Sequence, residues 1–299
     1  MDTAEICKAK MVSKSHDAEV SWGDELQQLV QTFPKDKSWA GNNLYFYQGF
    51  WCPSLVLKSF ISFQNHFQAF DSDVIVATFP KSGTTWLKAL TFSTLYRNKI
   101  TKDDNPLFSF GPHELVRIPT VSLSAYVGFR NPMDMFISLW HFTDKLREEK
   151  LDSVSLDQAF DKFCNGVCEF GPFFDHVLGY WKASQENPNK ILFLKYEALK
   201  EDMNSHLKKL AMFLGVPFTE EEEKEGVVEE IAKVCSFKSL KELEVNKKGL
   251  HISGIPHTDF FRKAKVGDWS NYLTPAMVER MEKLVQERLD ISGFTFKFS

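Results

Sequence analysis

The feature that most constrains this chain is a short apolar run that leads through a tight turn directly into a helical pattern. The run Val74–Phe79 is rich in β-branched residues, as is typical of a strand buried on both faces of a parallel sheet. The turn Pro80–Gly83 follows, and a helical pattern then extends from Thr84 to about Asn98. Strand, turn and helix in this order predict an anion-binding site at the start of the helix.

The residues of this turn suit a phosphate group. Gly83 allows the backbone to approach a ligand closely, Lys81 adds a positive charge, and the first helical N–H groups have no partner within the helix. Thr84 and Thr85 add hydroxyl donors. An ordinary turn between strand and helix is the alternative, because Ser-Gly-Thr also makes a good helix N-cap. The usual P-loop differs, since its lysine comes after its second glycine, whereas Lys81 precedes the only glycine here.

The composition describes a folded chain with no general affinity for polyanions. It has 299 residues, enough for one large domain or two smaller ones, and 43% of them are apolar. The net charge is −4, so the field of the whole chain does not attract nucleic acid or an acidic membrane surface. We therefore predict neither as a partner, and any anion site must be local.

The cysteines predict a reducing compartment. The five cysteines are odd in number and scattered, without a paired disulfide framework. Cys164 and Cys168 lie one helical turn apart and are open to interpretation as a metal pair, but structural thiols are the favoured interpretation, so no metal is predicted. The N-terminus has no apolar stretch of signal-peptide length, and no run approaches the roughly 20 apolar residues of a membrane span. These features predict a cytoplasmic protein.

Two further strand patterns repeat the first arrangement. Ser124–Phe129 ends at Arg130, which precedes a long amphipathic helix, and Lys190–Lys195 ends at Tyr196. Strands that alternate with helices predict a parallel sheet covered on both faces, with ligands at the carboxyl ends of the strands. We therefore expect Lys81, Arg130 and Tyr196 to meet in one crevice.

The remaining segments complete the domain prediction. Residues 1–20 are polar and aperiodic, which predicts a mobile tail before a single domain of residues 21–299. Leu44–Trp51 is predicted as one aromatic strand, mostly core, with a minority of its aromatics lining a ligand pocket. A helix is expected from Tyr196 to Gly215, and irregular structure from 237 to 268.

Four segments carry a resemblance to a known family: TFPKSGTTWLKAL, FRNPMDMFISLWHF, LFLKYEALKED and FFRKAKVGDWSNYLT, in this order. The chain resembles the plant-type cytosolic sulfotransferases, which move a sulfuryl group from 3′-phosphoadenylyl sulfate (PAPS) to small hydroxylated acceptors. The similarity extends from about Trp22 to Phe296. It implies an α/β, three-layer fold of the P-loop-nucleotide-hydrolase type, with PAPS as co-substrate, no metal, and a phenolic or alcoholic acceptor such as a flavonoid, steroid or hormone.

The resemblance also implies roles for individual residues. Lys81 and Ser138 are the catalytic pair: Lys81 would neutralise charge on the leaving phosphate, and Ser138 would hold that lysine until the acceptor arrives. Judged from the residues alone, Arg130 is equally open to an ion pair with Asp134. The positions that match the family's nucleotide contacts are Lys81, Ser82, Gly83, Thr84, Thr85, Trp86, Arg130, Ser138, Tyr196, Cys235, Ser236, Phe237, Arg262, Lys263 and Ala264.

One segment of the family pattern is missing. Between Val116 and Tyr126 the family has a connection, a strand ending in a Thr-His-Leu/Val-Pro-like motif, and a helix, and its histidine is the catalytic base. Only the nine residues 117–125 join the two ends here, too few for a crossover of about 10–12 residues. We therefore expect a sheet that lacks one edge strand, and impaired activity. His113 and His141 are the nearest candidates for a substitute base, although an ordinary histidine is the more frequent interpretation of each.

Smaller departures limit two further inferences. Ala264 replaces a glycine of the family's Arg-Lys-Gly motif. The positions of the dimer motif of animal relatives are occupied here by Ser270, Thr274, Pro275 and Glu279. The animal-type dimer is therefore not predicted, and the oligomeric state stays open. Three functions are thus weighed: a sulfotransferase with impaired activity, a non-catalytic nucleotide-binding relative, and a metal-dependent kinase that would use Glu197.

Overall fold

The computed structural model describes residues 24–68, 70–100, 104–116, 122–147, 154–289 and 292–296. The predicted mobile tail, residues 1–20, lies outside these ranges, as do residues 117–121 of the shortened connection. The predicted single domain of residues 21–299 stays a prediction.

A small antiparallel sheet lies at the start of the described chain. Its strands are β1 (Lys35–Lys37), β2 (Asn43–Tyr47) and β3 (Phe50–Pro53), in that order, flanked by helices α1 (Asp24–Gln31) and α2 (Ser54–His66). The single strand predicted for Leu44–Trp51 is wrong, because the chain reverses at Gln48 and Gly49, with φ of 48° and 89°. Positive φ at both residues gives the twist of a tight hairpin turn.

The main sheet is parallel, as predicted. Strands β4 (Phe70–Thr78), β5 (Ser122–Phe129) and β6 (Ile191–Lys195) lie in the order β4-β5-β6. Each strand overlaps one of the three strand patterns in the sequence and ends within one residue of it, but β4 begins four residues earlier than predicted and β5 two residues earlier. The sheet has three strands among the residues that the structure describes, and the loss of an edge strand relative to the family stays a prediction.

Helices follow and cover these strands. Two predictions for them are wrong. The helix expected from Tyr196 to Gly215 is divided at Asp202, whose carboxylate caps the second part. The region 237–268, predicted as irregular, contains two short helices and a 3₁₀ turn at His257–Phe260. The helices are α3 (Thr84–Tyr96), α4 (Pro112–Leu115), α5 (Pro132–Leu146), α6 (Leu156–Cys164), α7 (Phe173–Glu186), α8 (Tyr196–Glu201), α9 (Met203–Phe213), α10 (Glu220–Lys224), α11 (Val227–Val234), α12 (Phe237–Glu242), α13 (Glu244–Lys248) and α14 (Pro275–Leu289).

Alternate residues of the sheet face two separate cores, which makes three layers. Phe129 and Phe193 pack with α5, α7 and α14 on one face, whereas Leu194 packs with α3, α9 and α11 on the other. Each such side chain stabilises the fold by about 1.5–3 kcal/mol when it is fully buried. Gly128 of β5 lets α3 approach the sheet, because a Cβ there would lie 2.3 Å from Leu87 Cδ1. This close packing fixes the start of α3 at the carboxyl edge of the sheet.

The described residues also bear on the predictions about membrane spans, disulfides and metal sites. No helix of the described residues is long and apolar enough to cross a membrane. Cys52, Cys164, Cys168 and Cys235 are free thiols, and burial raises the pKa of Cys164 to about 11. Within the same ranges, no cluster of three or more His, Cys, Asp or Glu side chains has the geometry of a metal site.

Candidate active site

The turn after β4 has an unusual backbone. Lys81 and Gly83 both have positive φ, 65° and 102°, and Gly83 is the N-cap of α3. A non-glycine residue in this region costs about 1–2 kcal/mol, so surrounding contacts must hold Lys81 there. Gly83 also lies close to the side chain of Tyr196, because a Cβ at residue 83 would be only 3.0 Å from Cδ2 of the tyrosine ring. The turn therefore packs closely against the ring of Tyr196, the first residue of α8.

The expected convergence of three strand ends occurs. Lys81, Arg130 and Tyr196 follow β4, β5 and β6, and all three line one cavity of about 320 Å³. Most of the predicted nucleotide residues share this cavity. They are Lys81, Gly83, Thr84, Thr85, Trp86, Arg130, Ser138, Tyr196, Ser236, Phe237, Arg262 and Ala264.

Three of the predicted residues do not line the cavity. Ser82 is buried in the turn, and its hydroxyl has no hydrogen-bond partner among the described residues. Cys235 is buried outside the cavity lining. Its Sγ lies 3.3 Å from the Ser93 hydroxyl, and burial raises the pKa of its thiol to about 12. Lys263 is turned toward the hydroxyl of Tyr272, at 3.1 Å.

Lys81 lies in an apolar and positively charged corner. Burial, together with the nearby charges of Arg130 and Arg262, lowers the pKa of its ammonium to about 7. Its Nζ lies 3.9 Å from the centre of the Phe142 ring and 3.5 Å from the Asp259 carbonyl oxygen. The structure describes no hydrogen bond between Lys81 and Ser138, so the predicted holding role of Ser138 stays a prediction.

Arg130 forms the ion pair with Asp134 that the sequence left open, and it also lines the cavity. Its side chain is buried, with Nη2 3.7 Å from the carboxylate of Asp134 and donating at 2.9 Å to the Lys265 carbonyl. The guanidinium also lies 4.8 Å above the Tyr196 ring. Its Nε is buried and has no hydrogen-bond partner in the described chain. The ion pair therefore leaves a donor available.

Arg262, which follows the 3₁₀ turn His257–Phe260, also has one nitrogen bonded to a carboxylate and one without a partner in the described chain. Its Nη1 donates to Asp268 at 2.6 Å, while its Nε is buried without a partner in the described chain. A buried unsatisfied donor costs about 1–3 kcal/mol, more for a charged group. Two such donors close to Lys81 would be satisfied by an anionic group bound in the cavity.

Neither candidate histidine has the properties of a good proton acceptor. His113 lines the cavity, with Nε2 2.8 Å from the Thr85 hydroxyl, but burial, aided by the charge of Lys88, lowers its pKa to about 3. An imidazole of that pKa is a weak base at neutral pH. His141 is not a cavity-lining residue; its ring packs against Tyr272 at 5.0 Å, and burial lowers its pKa.

Some cavity residues escaped the sequence interpretation. Phe142 lies one helical turn after Ser138 and Lys200 one turn after Tyr196, so helical spacing could have found both. Phe260 belongs to the segment predicted as irregular, where no periodicity marks it. The cavity residues not predicted as nucleotide contacts are Pro80, His113, Phe142, Lys200, Met203, Leu240, Phe260 and Phe261.

Other predicted residues lie elsewhere. The aromatics from Phe46 to Trp51 do not line this cavity, because their rings pack on each other and on Phe60. The pocket role predicted for a minority of them is wrong for this cavity. Glu197 is also turned away, since its carboxylate accepts the backbone N–H of Asn131 at 2.9 Å. It is therefore not a metal-binding acid in the cavity, which removes the basis of the kinase interpretation.

The fold and the cavity define a class of protein: an α/β protein with a cationic cavity at the carboxyl edge of a parallel sheet, where such folds bind their ligands. A family model described as "Sulfotransferase domain" matches residues 71–123 and 126–293. The chain belongs to the sulfotransferase family and is by family an enzyme, a transferase. The family resemblance in the sequence is thereby confirmed.

Individual relatives agree with this assignment. Cytosolic sulfotransferase 15 of Arabidopsis thaliana is 44% identical over 92% of this chain and 88% of its own length. The crystal structure of a putative steroid sulphotransferase of Arabidopsis thaliana is 34% identical, covers 92% of this chain and 98% of its own, and has a TM-score of 0.69. Mouse sulfotransferase SULT7A1, crystallised with PAP, is 26% identical over 83% of this chain and 95% of its own, with a TM-score of 0.64.

The alignment with the first relative is longer than the chain itself. It spans 315 positions, whereas the chain has 299 residues, so that relative carries residues that face gaps here. The family match is interrupted between residues 123 and 126. This interruption falls inside the connection that the sequence marks as too short.

Proposed function

We propose that this chain binds PAPS and transfers its sulfuryl group, slowly, to the hydroxyl of a small apolar phenolic or alcoholic acceptor in the cytoplasm. The observation that carries the proposal is that Arg130 and Arg262, which line the cavity close to Lys81, each have a buried Nε donor without a partner in the described chain. Acceptors of the flavonoid, steroid or hormone type fit the aromatic walls formed by Phe142, Phe260 and Phe261. One solved relative is described as a putative steroid sulphotransferase, which supports the same class of acceptor.

The chain's own residues would act mainly by electrostatics. When bound, PAPS supplies the sulfuryl group and the leaving bisphosphate. Lys81 and the first-turn N–H groups of α3 donate to the 5′ end, where negative charge grows as the bond breaks. Arg130 and Arg262 hold the 3′-phosphate, and Trp86, whose buried Nε1 has no partner in the described chain, lies beside Tyr196 for the adenine. No metal is part of the proposal.

The weak step is removal of the acceptor proton. His113 is neutral but too weakly basic, and the segment that bears the family's histidine is missing from the sequence. Loss of general base catalysis typically costs about 10²–10⁴-fold in rate. A non-catalytic protein that binds the nucleotide is therefore the second candidate function, and the gaps against the relatives favour it.

Two measurements on the full chain test these functions. Calorimetry with adenosine 3′,5′-bisphosphate (PAP) is expected to show binding with a micromolar dissociation constant. Transfer of radiolabelled sulfate from PAPS to a panel of phenols and alcohols then separates the candidates, because robust turnover would remove the non-catalytic one. The variant Lys81→Met serves as the control, since it removes the ammonium from the cavity. Absence of PAP binding to the wild type would contradict both functions.

A further inference from the structure

Asp268 holds both cations of the late loop, defined here as residues 262–269. Its Oδ2 accepts from Arg262 Nη1 at 2.6 Å and its Oδ1 from Lys263 Nζ at 3.0 Å. The Asp268 side chain is only 2% exposed, whereas that of Lys263 is 47% exposed. Burial of a carboxylate is costly unless charged partners and hydrogen bonds compensate for it, so this carboxylate has a well-defined position.

A second carboxylate fixes where Asp268 lies. Asp134 of α5 is fully buried and accepts the backbone N–H groups of Gly267 at 2.7 Å and of Trp269 at 3.1 Å. These two amides flank Asp268 in the chain. The late loop is thereby fastened to the helix that also begins just after Arg130.

The contact with Asp268 leaves one edge of Arg262 available. Nη1 is engaged, while Nε is buried and unpartnered among the described residues, and Nε shares with Nη2 the edge that can bind two oxygens of a phosphate. Lys263 is directed away from the cavity, toward Tyr272. Asp268 therefore fixes the orientation of the Arg262 guanidinium, whose side chain lines the cavity.

On the basis of the proposed function, we propose that Asp268 is a positioning residue that sets the preference for a nucleotide carrying a 3′-phosphate. It does not contact the nucleotide. It holds Arg262 by Nη1 so that the Nε edge faces the cavity, and it keeps Lys263 out of the cavity. Without it, Arg262 would keep its charge but lose its fixed orientation.

The test compares two ligands in three proteins by calorimetry. PAP and adenosine 5′-monophosphate are titrated into wild type, Asp268→Asn and the control Asn271→Ala, whose side chain donates to the same Oδ1 of Asp268 at 3.1 Å without touching Arg262. Because a hydrogen bond to a charged group contributes about 1.5–3 kcal/mol, Asp268→Asn should weaken PAP binding about tenfold or more and leave the monophosphate unchanged. Asn271→Ala should leave both affinities unchanged.

The other outcomes are distinguishable. If wild type does not bind PAP, the proposed function fails. If wild type prefers PAP and Asp268→Asn keeps that preference, loses both ligands equally, or binds PAP more tightly, only the positioning role fails. If Asp268→Asn lacks a cooperative melting transition, Arg262→Lys replaces it, because lysine keeps the charge but cannot present two donors from one edge. Full PAP preference in that variant would overturn the inference.

Discussion

At the scale of single residues, the site combines strain with charge. Lys81 has a positive φ and a pKa near 7, and it is surrounded by an aromatic ring and two arginines. Such costs persist only where the surrounding structure fixes the residue. A bound anion would relieve the charge repulsion, so the cavity favours an anionic ligand.

The lowered pKa of Lys81 predicts how nucleotide affinity depends on pH. Because the anion binds the protonated form, binding above pH 7 must include proton uptake by Lys81, and the affinity falls as pH rises. The ratio of the PAP affinity of wild type to that of Lys81→Met should fall about fivefold between pH 7 and pH 8. Taking the ratio removes the titration of the phosphates themselves. Calorimetry at several pH values measures it, and a ratio that stays constant would contradict the assigned pKa.

Ala264 predicts a stabilising substitution. Its φ is 50°, a region that a glycine adopts freely, so Ala264→Gly should remove strain. A left-handed alanine costs about 1–2 kcal/mol and the added freedom of glycine in the unfolded chain about 0.5–1, leaving a net gain of up to about 1 kcal/mol in the free energy of unfolding. Urea unfolding measures it.

The matched control for this prediction is Gly215→Ala. Gly215 has a φ of 72°, lies after α9 and has open space where a Cβ would be, so only the backbone strain changes. Gly215→Ala should destabilise by about 1 kcal/mol, the opposite sign. Two substitutions with the same sign would show that positive φ does not govern stability at these positions.

At the scale of elements, the sequence predicts the pieces whose signal is periodic and long. The three parallel strands have the expected positions, apart from the earlier start of β4, because each is a continuous hydrophobic pattern with a clear end. The hairpin at Gln48 was missed because glutamine is not a usual residue of a turn with positive φ, and the apolar run continues across it. Helices α12 and α13 have six and five residues, too short for a period of 3.6 to show.

The same limit applies to the site. Lys81, Arg130 and Tyr196 could be predicted because each follows a strand, and strand ends of a parallel sheet meet at one edge. The orientation of Lys263 could not, since it depends on Asp268 and Tyr272 coming together through the tertiary fold. Neighbours in sequence to a binding residue are therefore poor guides to which side chain enters a cavity.

Helix α3 contains a buried cation that predicts a pH effect on stability. Lys88 is 1% exposed, no hydrogen bond or ion pair joins its ammonium to a described residue, and burial lowers its pKa from 10.5 to about 8. Between these values the unfolded chain binds more protons than the folded one, so the free energy of unfolding should rise with pH, by about 3 kcal/mol in total.

Lys88→Met tests this effect. At pH 7 it should raise the free energy of unfolding by about 1–3 kcal/mol, because methionine fills similar space without a charge to bury. At pH 9.5 the gain should shrink, since wild-type Lys88 is then largely neutral in the folded state. Lys182→Met, at an exposed lysine of α7, is the control and should change little at either pH. An unfavourable effect of Lys88→Met at pH 7 in urea unfolding would mean that Lys88 has a stabilising role.

At the scale of the whole molecule, the cavity joins the two cores. Helix α3 belongs to the core on one face of the sheet and α5 to the core on the other, and both contribute walls, through Trp86 and Ser138 for example. A nucleotide bound between them would therefore stabilise both layers together. The predicted deficiency is on the acceptor side, where the sequence predicts that the family's histidine segment is missing.

That imbalance predicts how the rate depends on the acceptor. Without an effective base, the acceptor must lose its proton by itself, so an acidic nitrophenol, which is partly ionised at neutral pH, should react fastest. An ordinary phenol, with a pKa near that of tyrosine at about 10, should be slower, and an alcohol slower by a further factor of about 10² or more, the size of the missing base contribution. Initial rates of sulfate transfer at fixed PAPS measure the series. Arabidopsis cytosolic sulfotransferase 15, which carries residues absent here, is the reference and should show a shallower dependence on acidity. Equal rates for alcohols and nitrophenols would reveal a proton acceptor in this chain.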